Sequence, residues 1–435
     1  MLSPGHIFGN FLMKLKKMEN KIIKDIFNLK NDELNSIVLI PSENVMSNSA
    51  SSVYGFWSAN RYILKHKYGD IVDMPGRENL SRLLASVDLL LAEAYGVRYS
   101  ISKGLSGLHN MDIIFSALSS ISKVALILKT SDGGHSKTRG VAEKYGYKVN
   151  EIGMNFTNWD LDYADIQHNL EVNKNEKVLI YLDHTVCVNS VDIFKLMSLI
   201  PEHWLVYYDI SHLQLFYFVG TFNFPDNKNL FYGGSTHKTF PGPQKSIVLL
   251  NDENLFNLID NEFNAKTSSI HTGSLLALLV TIIEMKKFGK KYADEILDKT
   301  KAFAKMLSYD LDLVGPEGVY TNTHQICIKI DDAVKATIDL SKIGIITTPM
   351  RVPKSKDLGL RLGIQELVRR GIKKQDLKII AKVISIAVNE NRSPIEYRSN
   401  IKKIANKLDK IKFAINEERT SNLNSLSWLL RMLKK

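Results

Sequence analysis

Lys238 is the residue of this chain whose type and position could carry out covalent chemistry. It lies in the stretch 236–239, Thr-His-Lys-Thr, after the apolar run 230–232 and before a Gly- and Pro-rich turn at 240–243. Enzymes built on open α/β sheets bind their ligands on loops that follow buried strands of this kind. A lysine amine that loses its proton in a cleft can attack a carbonyl carbon and form a Schiff base. The stretch therefore predicts a lysine nucleophile for a carbonyl group.

Asp209 is the partner that such a lysine would need. It ends a second apolar segment, 204–208, upstream of Lys238. Pyridoxal 5'-phosphate (PLP) requires both groups, because a lysine holds its aldehyde and a carboxylate keeps its pyridine nitrogen protonated, so that the ring accepts electrons. Taken singly, a lysine is most often a solvated surface group, and an aspartate at a strand end is usually a cap. The PLP interpretation therefore depends on the residues around this pair.

A loop suited to a phosphate group is the first of these neighbours. The stretch 106–110, Ser-Gly-Leu-His-Asn, follows a short strand and opens a helix. Small residues such as Ser106 and Gly107 at a helix N-terminus expose main-chain N–H groups and the positive end of the helix dipole, which suits a phosphate. Ser-Gly turns are common, so this signal is weak on its own.

Polar residues on other loops could contact the cofactor ring. His135 follows two glycines and could lie flat against an aromatic ring, although a turn with an exposed histidine is the commoner explanation. Thr185, past the apolar run 178–182, could hydrogen-bond the ring hydroxyl or be an ordinary strand threonine. His212 could position the ring or the substrate, or occupy the first turn of a helix. His237, beside the lysine, completes the predicted cofactor contacts.

Arg361 is a candidate for binding a substrate carboxylate. It lies inside an apolar stripe, 359–363, Gly-Leu-Arg-Leu-Gly. A buried arginine is rarely left unpaired, and a guanidinium is the best two-pronged partner for a carboxylate. That carboxylate could belong to an amino-acid substrate or, with equal weight, to an Asp or Glu of the chain. The phosphate loop, stacking residue, aspartate, lysine and arginine occur in the chain order that a PLP enzyme of the aspartate-aminotransferase-like fold needs.

Alternating strands and helices must position these residues. Strand-like apolar runs lie near residue 101 and at 124–128, 178–182, 204–208, 230–232 and 247–250, with helical patterns between several of them. Short, continuously apolar strands separated by helices predict a mostly parallel sheet covered on both faces, and so the α/β class.

The remaining patterns divide the chain into three predicted parts. They are an N-terminal helical arm (1–40), a large cofactor-binding domain (41–300) and a small C-terminal domain with extra C-terminal helices (301–435). Helical spacing predicts helices at 77–95, about 273–307, 374–389 and through 395–435, and a strand near 325–330.

Composition indicates an ordinary globular enzyme, with 435 residues of which 44% are hydrophobic and 24% charged. The net charge of +11 lies largely near the chain ends, on solvated helix faces, so we expect no nucleic-acid partner. We expect no membrane partner and a cytoplasmic location, because we find neither a long apolar run nor a signal-peptide pattern. Cys187 and Cys327 are too few for a disulfide framework or a metal cluster, which predicts a reducing compartment and no metal.

With these residues, the chain resembles the serine hydroxymethyltransferase family over roughly residues 35–390. The matching motifs are 40–44 (Ile-Pro-Ser-Glu-Asn), 60–62 (Asn-Arg-Tyr), 133–135 (Gly-Gly-His), 209–212 (Asp-Ile-Ser-His), 236–239 with Gly242-Pro243, and 361–363 (Arg-Leu-Gly) followed by 369–371 (Arg-Arg-Gly). The resemblance implies PLP fold type I, with a mostly parallel seven-stranded sheet in the large domain. It also implies a homodimer whose active sites are shared between subunits.

The resemblance assigns the cofactor contacts residue by residue. Lys238 would hold the cofactor aldehyde, Asp209 would pair with the pyridine nitrogen, and His135 would stack on the ring. Thr185 and His212 would contact the cofactor or the substrate.

The same resemblance assigns the substrate contacts. Ser42 and Arg361 would hold the amino-acid carboxylate, and Tyr68 would keep the role of one family tyrosine near the substrate. Tyr62, a predicted catalytic residue, would come from the neighbouring subunit, and so would Gly273 near the phosphate.

The chain departs from the family pattern at positions that serve folate binding or folate chemistry in the family. Leu64 stands where the family has a glutamate that serves proton transfer around the hydroxymethyl group and folate, which leucine cannot do. His66 or Asp70 could supply a replacement acid or base, although a solvent-exposed side chain is the commoner explanation for each. Gln244 replaces an arginine, and the segment 347–351 lacks the usual asparagine. The PLP machinery is therefore retained while the folate machinery is eroded.

These residues predict a PLP-dependent enzyme that makes or breaks the Cα–Cβ bond of a β-hydroxy amino acid such as serine or threonine, with glycine as the other product or substrate. A folate-independent aldolase or transaldolase, with an aldehyde as second partner, is favoured. The alternatives are a true tetrahydrofolate-dependent glycine hydroxymethyltransferase, a catalytically degenerate PLP-binding paralogue, or another PLP reaction at Cα such as transamination or racemisation.

Overall fold

The computed structural model describes residues 4–63, 76–353 and 358–415. The helices are α1 (Pro4–Leu34), α2 (Asn48–Tyr54), α3 (Glu78–Tyr95), α4 (Gly107–Leu118), α5 (Thr138–Lys144), α6 (Tyr163–Val172), α7 (Ile193–Leu199), α8 (Gln214–Phe218), α9 (Glu253–Lys266), α10 (Thr272–Leu307), α11 (Ala333–Ser341), α12 (Gln365–Arg369), α13 (Lys374–Asn389) and α14 (Arg398–Lys407). The strands are β1 (Ile37–Val38), β2 (Tyr99–Gly104), β3 (Val124–Leu128), β4 (Lys148–Ile152), β5 (Met154–Asn155), β6 (Asp160–Leu161), β7 (Val178–Asp183), β8 (Leu205–Asp209), β9 (Leu230–Ser235), β10 (Ser246–Leu250), β11 (Leu313–Val314), β12 (Gln325–Ile328), β13 (Ile345–Ile346), β14 (Pro349–Arg351) and β15 (Leu358–Gly363).

A seven-stranded sheet of order β2-β10-β9-β8-β7-β3-β4 forms the centre of the fold. The neighbours β9, β8, β7, β3 and β4 pair in parallel, whereas β10 is antiparallel to both β2 and β9. Every residue of β3 and β7 is buried, as expected for strands covered on both faces. The predicted mostly parallel α/β sheet is thus confirmed.

Alternate residues of the sheet strands pack into two separate hydrophobic layers, one on each face of the sheet. Leu126, Ile180 and Tyr208 belong to the layer that also contains buried residues of α3 and α10, whereas Ile127, Tyr181 and Tyr207 pack with residues of α4 and α9. The sheet is therefore sandwiched between helices, which leaves its strand ends as the places where polar side chains can gather.

The carboxyl ends of β7, β8 and β9 meet at one edge of this sheet. Asp183 of β7 is in register with Asp209 of β8, and Asp209 is in register with Gly233 of β9. Because neighbouring parallel strands point the same way, the loops that follow them emerge side by side, which is where open α/β sheets bind ligands.

A second sheet, of order β11-β12-β15-β14, is antiparallel and lies later in the chain. Gln325 at the start of β12 accepts a hydrogen bond from the main-chain N–H of Cys187 at 3.0 Å. Its amide donates to the carbonyl of Thr185 at 3.2 Å. These bonds fix the second sheet against the loop after β7, so that β15 comes to the same edge of the large sheet.

The predicted helices at 77–95, 273–307 and 374–389 correspond to α3, α10 and α13. The strand β4 has no continuous apolar run and is not predicted from the sequence. It lies at the edge of the sheet beside β3 and carries Lys148, Asn150 and Glu151 among its apolar residues.

The sequence predicts helix through 395–435, but the described structure is helical only to the end of α14. For residues 408–415 the prediction is wrong. Residues 408–415 leave the helix because two buried arginines bind their carbonyls. Arg370 Nε donates to Leu408 O at 3.0 Å, and Arg369 Nη1 donates to Phe413 O at 2.5 Å. Arg369 also pairs with Glu284 of α10 at 3.1 Å, and both side chains are fully buried.

Among the helices of the described residues, none combines the length and apolar character required to span a membrane.

Candidate active site

Lys238 lies on the loop after β9 and lines a cavity of about 280 Å³ at the edge where β7, β8 and β9 end. The loop is rigidly held. Thr236 Oγ1 donates to Pro243 O at 2.6 Å, and the Asn44 amide donates to Lys238 O at 2.7 Å. Removal of the amine from bulk water lowers the pKa of Lys238 to about 8, although nearby Asp209 acts in the opposite direction. A lysine with this pKa has a substantial neutral, nucleophilic fraction near neutral pH.

Asp209 lines the same cavity, and its direction is set by two loops. Its Oδ1 accepts from the main-chain N–H of Ser211 at 2.9 Å, and Ser211 Oγ accepts from Ser235 N at 2.7 Å. Gly234 allows this close approach, because its φ is +133° and an added Cβ would lie 2.7 Å from Asp209 Oδ1. The sequence-predicted lysine and aspartate are therefore brought together in one cavity.

His135 reaches the cavity from a loop that is clamped to the end of β7. Val186 N donates to Gly133 O at 3.0 Å, and Gly134 forms a β-bridge with His184. A Cβ on Gly134 would lie 2.3 Å from Leu128 O. Burial lowers the pKa of His135, with the Asp209 carboxylate opposing this effect. The ring is thus neutral at physiological pH, as a ring that stacks on an aromatic system can be.

His212 lies between Lys238 and a second histidine, His324. The atoms Lys238 Nζ and His212 Nε2 are 3.4 Å apart, and His212 Nδ1 lies 3.3 Å from His324 Nε2. His324 Nε2 also lies 3.2 Å from the carbonyl oxygen of Pro41. Burial lowers the pKa of His324 to about 3 and that of His212 well below its ordinary value, and the Lys238 and Arg361 cations add to both effects. Both imidazoles are therefore neutral.

Ser106 and Gly107 line the cavity at the N-terminus of α4. Ser106 caps the helix by accepting from His109 N at 3.1 Å. A Cβ on Gly107 would lie 2.5 Å from Ser235 Oγ, so the glycine keeps the helix start close to β9. The first turn of this 12-residue helix directs its positive end toward the cavity, as a phosphate group requires.

Arg361 comes from β15 of the second sheet and is 3% exposed. Its Nη1 donates to Thr185 O at 2.5 Å, while its Nε has no hydrogen-bond partner among the described residues. No Asp or Glu in the described ranges forms an ion pair with it. Burial lowers the pKa of the guanidinium to about 10, which leaves it charged at neutral pH. The arginine is thus available to a carboxylate from outside the chain.

Ser42 does not line the cavity of about 280 Å³ but follows Pro41, whose carbonyl meets His324. Thr185, His212 and His237 do line it. Burial lowers the pKa of His237 to about 4.

Tyr62 and Gly273 lie elsewhere, on a separate open cavity of about 450 Å³ that also contains His271. Tyr62 is 56% exposed there. A single chain therefore does not bring these two residues to Lys238. Tyr68, like Leu64, His66 and Asp70, lies outside the described residues.

Three site residues were not predicted from the sequence: Asp183, His184 and His324. Asp183 and His184 line the cavity beside Thr185. The signal for Asp183 was the same as for Asp209, an aspartate that ends a buried apolar strand. His324 lies on a loop before β12, far from the other residues in sequence, and its local pattern carries no comparable signal.

The residues present fit PLP. The cavity combines a lysine with a lowered pKa, a carboxylate fixed by main-chain bonds and a helix N-terminus. Three buried polar atoms without hydrogen-bond partners in the described part of the chain, Asp183 Oδ1, His184 Nδ1 and His237 Nδ1, belong to residues that line this cavity. The fold and this cavity define a PLP-dependent enzyme of fold type I.

Comparisons with known proteins support this class. The model of the serine hydroxymethyltransferase family matches residues 15–384. Serine hydroxymethyltransferase of Pyrococcus furiosus is 26% identical over 89% of this chain and 95% of its own length. Fluorothreonine transaldolase of Streptantibioticus cattleyicolor is 26% identical over 86% of this chain, which spans 61% of that longer protein.

The crystal structure of L-threonine transaldolase from Pseudomonas fluorescens, in its internal aldimine state, has the same fold. It superimposes with a TM-score of 0.83 at 20% identity and covers 98% of this chain and 100% of its own. The chain belongs to the serine hydroxymethyltransferase family.

Proposed function

We propose that this protein is a folate-independent aldolase or transaldolase that cleaves and forms the Cα–Cβ bond of a β-hydroxy amino acid, with threonine or serine as donor. One set of observations carries the proposal. Lys238 with its lowered pKa and Asp209 line one small cavity, and Arg361, whose Nε has no partner in the described part of the chain, donates to the carbonyl of Thr185 on the wall of that cavity. Relatives named as transaldolases support a threonine donor and an aldehyde acceptor. Leu64, in place of the family glutamate, favours a reaction without tetrahydrofolate.

Each side chain then has a role. Bound in the cavity, PLP supplies an electron sink for the electron pair left on Cα when a bond to that carbon breaks. Lys238 Nζ would hold the cofactor aldehyde, and Asp209 would keep the pyridine nitrogen protonated. Ser106 and Gly107 would bind the phosphate with the N-terminus of α4. His135 would stack on the ring, and Thr185 and His237 would contact the cofactor.

Substrate orientation decides which bond to Cα breaks. Arg361 and Ser42 would hold the substrate carboxylate and so fix the orientation of the amino acid in the site. Loss of the β-hydroxyl proton requires a base, and the neutral imidazole of His135 on the cavity wall can accept it. Because the His135 ring is uncharged, it can accept this proton without first releasing one.

We further propose that two chains form a homodimer in which Tyr62, Tyr68 and Gly273 complete the partner's site. The exposure of Tyr62, on a separate cavity with Gly273 and apart from the cavity that contains Lys238, supports this proposal. A cytoplasmic location and the division into an arm (1–40), a large domain (41–300) and a small domain (301–435) stay predictions. The helix α10 runs through residue 300 without a break.

The test uses the PLP-loaded protein with L-threonine. We expect release of acetaldehyde, measured by coupled reduction with alcohol dehydrogenase, and formation of a new β-hydroxy amino acid when benzaldehyde is added, measured by chromatography. K238A should abolish both. Formation of glycine from serine that rises strongly with tetrahydrofolate would instead support the hydroxymethyltransferase alternative, which the archaeal relatives favour.

Two further outcomes would contradict the proposal. Conversion of threonine to its oxo acid or to the D isomer, without acetaldehyde, would indicate transamination or racemisation. Borohydride treatment that labels Lys238 with the cofactor, combined with no turnover of serine, threonine or glycine, would indicate a degenerate PLP-binding paralogue.

A further inference from the structure

Asp183 is a second carboxyl group in the cavity, and the proposed function leaves it without a role. It ends β7 and is in register with Asp209 at the end of β8. It is 4% exposed and lines the cavity that contains Lys238. Burial of a carboxyl group beside another carboxylate costs free energy unless hydrogen bonds satisfy its oxygens or it is protonated.

The two oxygens of Asp183 differ in their surroundings. Oδ2 accepts a hydrogen bond from the Thr138 hydroxyl, and the main-chain N–H of His135 also lies against the carboxyl group. Oδ1 is buried and has no hydrogen-bond partner in the described ranges. No Lys or Arg of these ranges forms an ion pair with Asp183. Oδ1 is therefore the oxygen whose hydrogen-bonding capacity the described part of the chain leaves unused.

The surroundings favour the neutral acid. Burial is the main cause that raises the pKa of Asp183 well above its ordinary value, and the neighbouring Asp209 carboxylate adds to it. The bonds from Thr138 and His135 act in the opposite direction but are weaker. Because Oδ2 already accepts from Thr138, the proton belongs on Oδ1, where it is a hydrogen-bond donor without an acceptor.

The strand order indicates which part of PLP would meet this donor. Lys238 follows β9, Asp209 ends β8, and α4 with its phosphate loop packs on the β9 and β10 side of the edge. The ring nitrogen and the aldehyde lie opposite each other on the pyridine, with the phosphate arm on one side and the phenolic oxygen on the other. If the arm points to α4, the phenolic oxygen faces β7, where Asp183 and Thr185 lie.

We propose that Asp183 is a cofactor-binding acid of this pocket, which donates a hydrogen bond from Oδ1 to the phenolic oxygen of PLP beside Thr185. This inference rests on the proposed binding of PLP in the cavity. The titratable groups that face Asp183 are Asp209, His135, His184 and Tyr181, together with Lys238 across the cavity. Of these only Lys238 is a cation at neutral pH.

The experiment compares PLP affinity of D183N, which keeps a donor of the same shape, with that of D183L, which has none. Affinity is measured by equilibrium dialysis against PLP at pH 7.5. We expect D183N to stay within about threefold of the parent protein and D183L to bind at least about tenfold more weakly. Asp376, equally buried at the start of α13, provides the control D376N, which should leave PLP affinity unchanged.

A second measurement does not depend on the folding of D183L. The infrared difference spectrum of the apoprotein minus D183N should contain the carbonyl band of a protonated carboxylic acid at pH 7.5, and added PLP should shift it to lower frequency. Absence of this band, equal PLP affinity of D183L and the parent, or equal weakening of D183N and D183L would each overturn the proposal. Failure of the parent itself to bind PLP or to be labelled at Lys238 by borohydride would instead overturn the proposed function.

Discussion

The Nε2 atom of His212 lies 3.4 Å from Nζ of Lys238, and the opposite nitrogen of the same ring lies 3.3 Å from His324. The Pro41 carbonyl, 3.2 Å from His324 Nε2, can only accept a hydrogen bond, so that nitrogen must carry the proton. His212 Nδ1 must then accept from His324, and the single proton of His212 lies on Nε2, directed at Lys238. A donor directed at the amine favours the neutral lysine over the ammonium.

The first prediction concerns the protonation of Lys238 in the apoprotein. Because its pKa is lowered to about 8, the neutral fraction of the amine should rise with pH and level off above about pH 9, whereas an ordinary lysine levels off above about pH 11. Competitive labelling with acetic anhydride, read by mass spectrometry of the Lys238 peptide, measures this fraction. Peptides with exposed lysines in the same digest are the reference. A labelling curve that coincides with theirs would contradict the desolvation argument.

The second prediction concerns His324. His324→Leu removes the donor that sets the tautomer of His212, which can then carry its proton on Nδ1 and present a lone pair to Lys238. We expect the labelling curve of Lys238 to move to higher pH, with a severalfold slower reaction at pH 8. H203L, at an exposed histidine, is the matched control and should leave the curve in place. A purely structural role of His324 would lower the melting temperature without moving this curve.

Arg361 gives the third prediction. R361K keeps a positive charge but cannot both bind Thr185 O and present a two-pronged donor to a carboxylate. Loss of one or two charge-assisted hydrogen bonds should raise KM for threonine about 10- to 100-fold, with a smaller change in kcat. R392K, at an exposed arginine, should behave like the parent enzyme. An unchanged KM would show that the substrate carboxylate binds elsewhere.

The fourth prediction separates two glycines in neighbouring segments. A methyl group at Gly134 would meet Leu128 O at 2.3 Å, whereas Gly140, on the exposed side of α5, has nothing within 4 Å. G134A should lower the free energy of unfolding by about 2 kcal/mol or more, because backbone must shift. G140A should raise it by about 0.5–1 kcal/mol, since alanine favours the helix. Urea unfolding of the apoproteins measures both, and destabilisation of equal size would contradict the steric argument.

Much of the site could be read from residue types at strand ends. Asp209, Thr185 and Lys238 follow buried apolar runs, and parallel strands bring such positions to one edge whatever the details of packing. Asp183 carries the same signal, because it ends the buried apolar strand β7 two residues before Thr185. His324 could not have been found in this way, since its proximity to His212 depends on how the second sheet packs on the first.

The sequence by itself determined the α/β class, the lysine and aspartate pair and the order of the loops, because apolar periodicity and strand-end residues are local properties of the chain. Only the tertiary structure decided that Lys238 has a lowered pKa, that Arg361 lacks an internal carboxylate among the described residues, and that Asp183 lines the cavity while its Oδ1 has no partner in those residues. Charge state and hydrogen-bond satisfaction depend on burial and on neighbours distant in sequence, which the folded chain alone brings together.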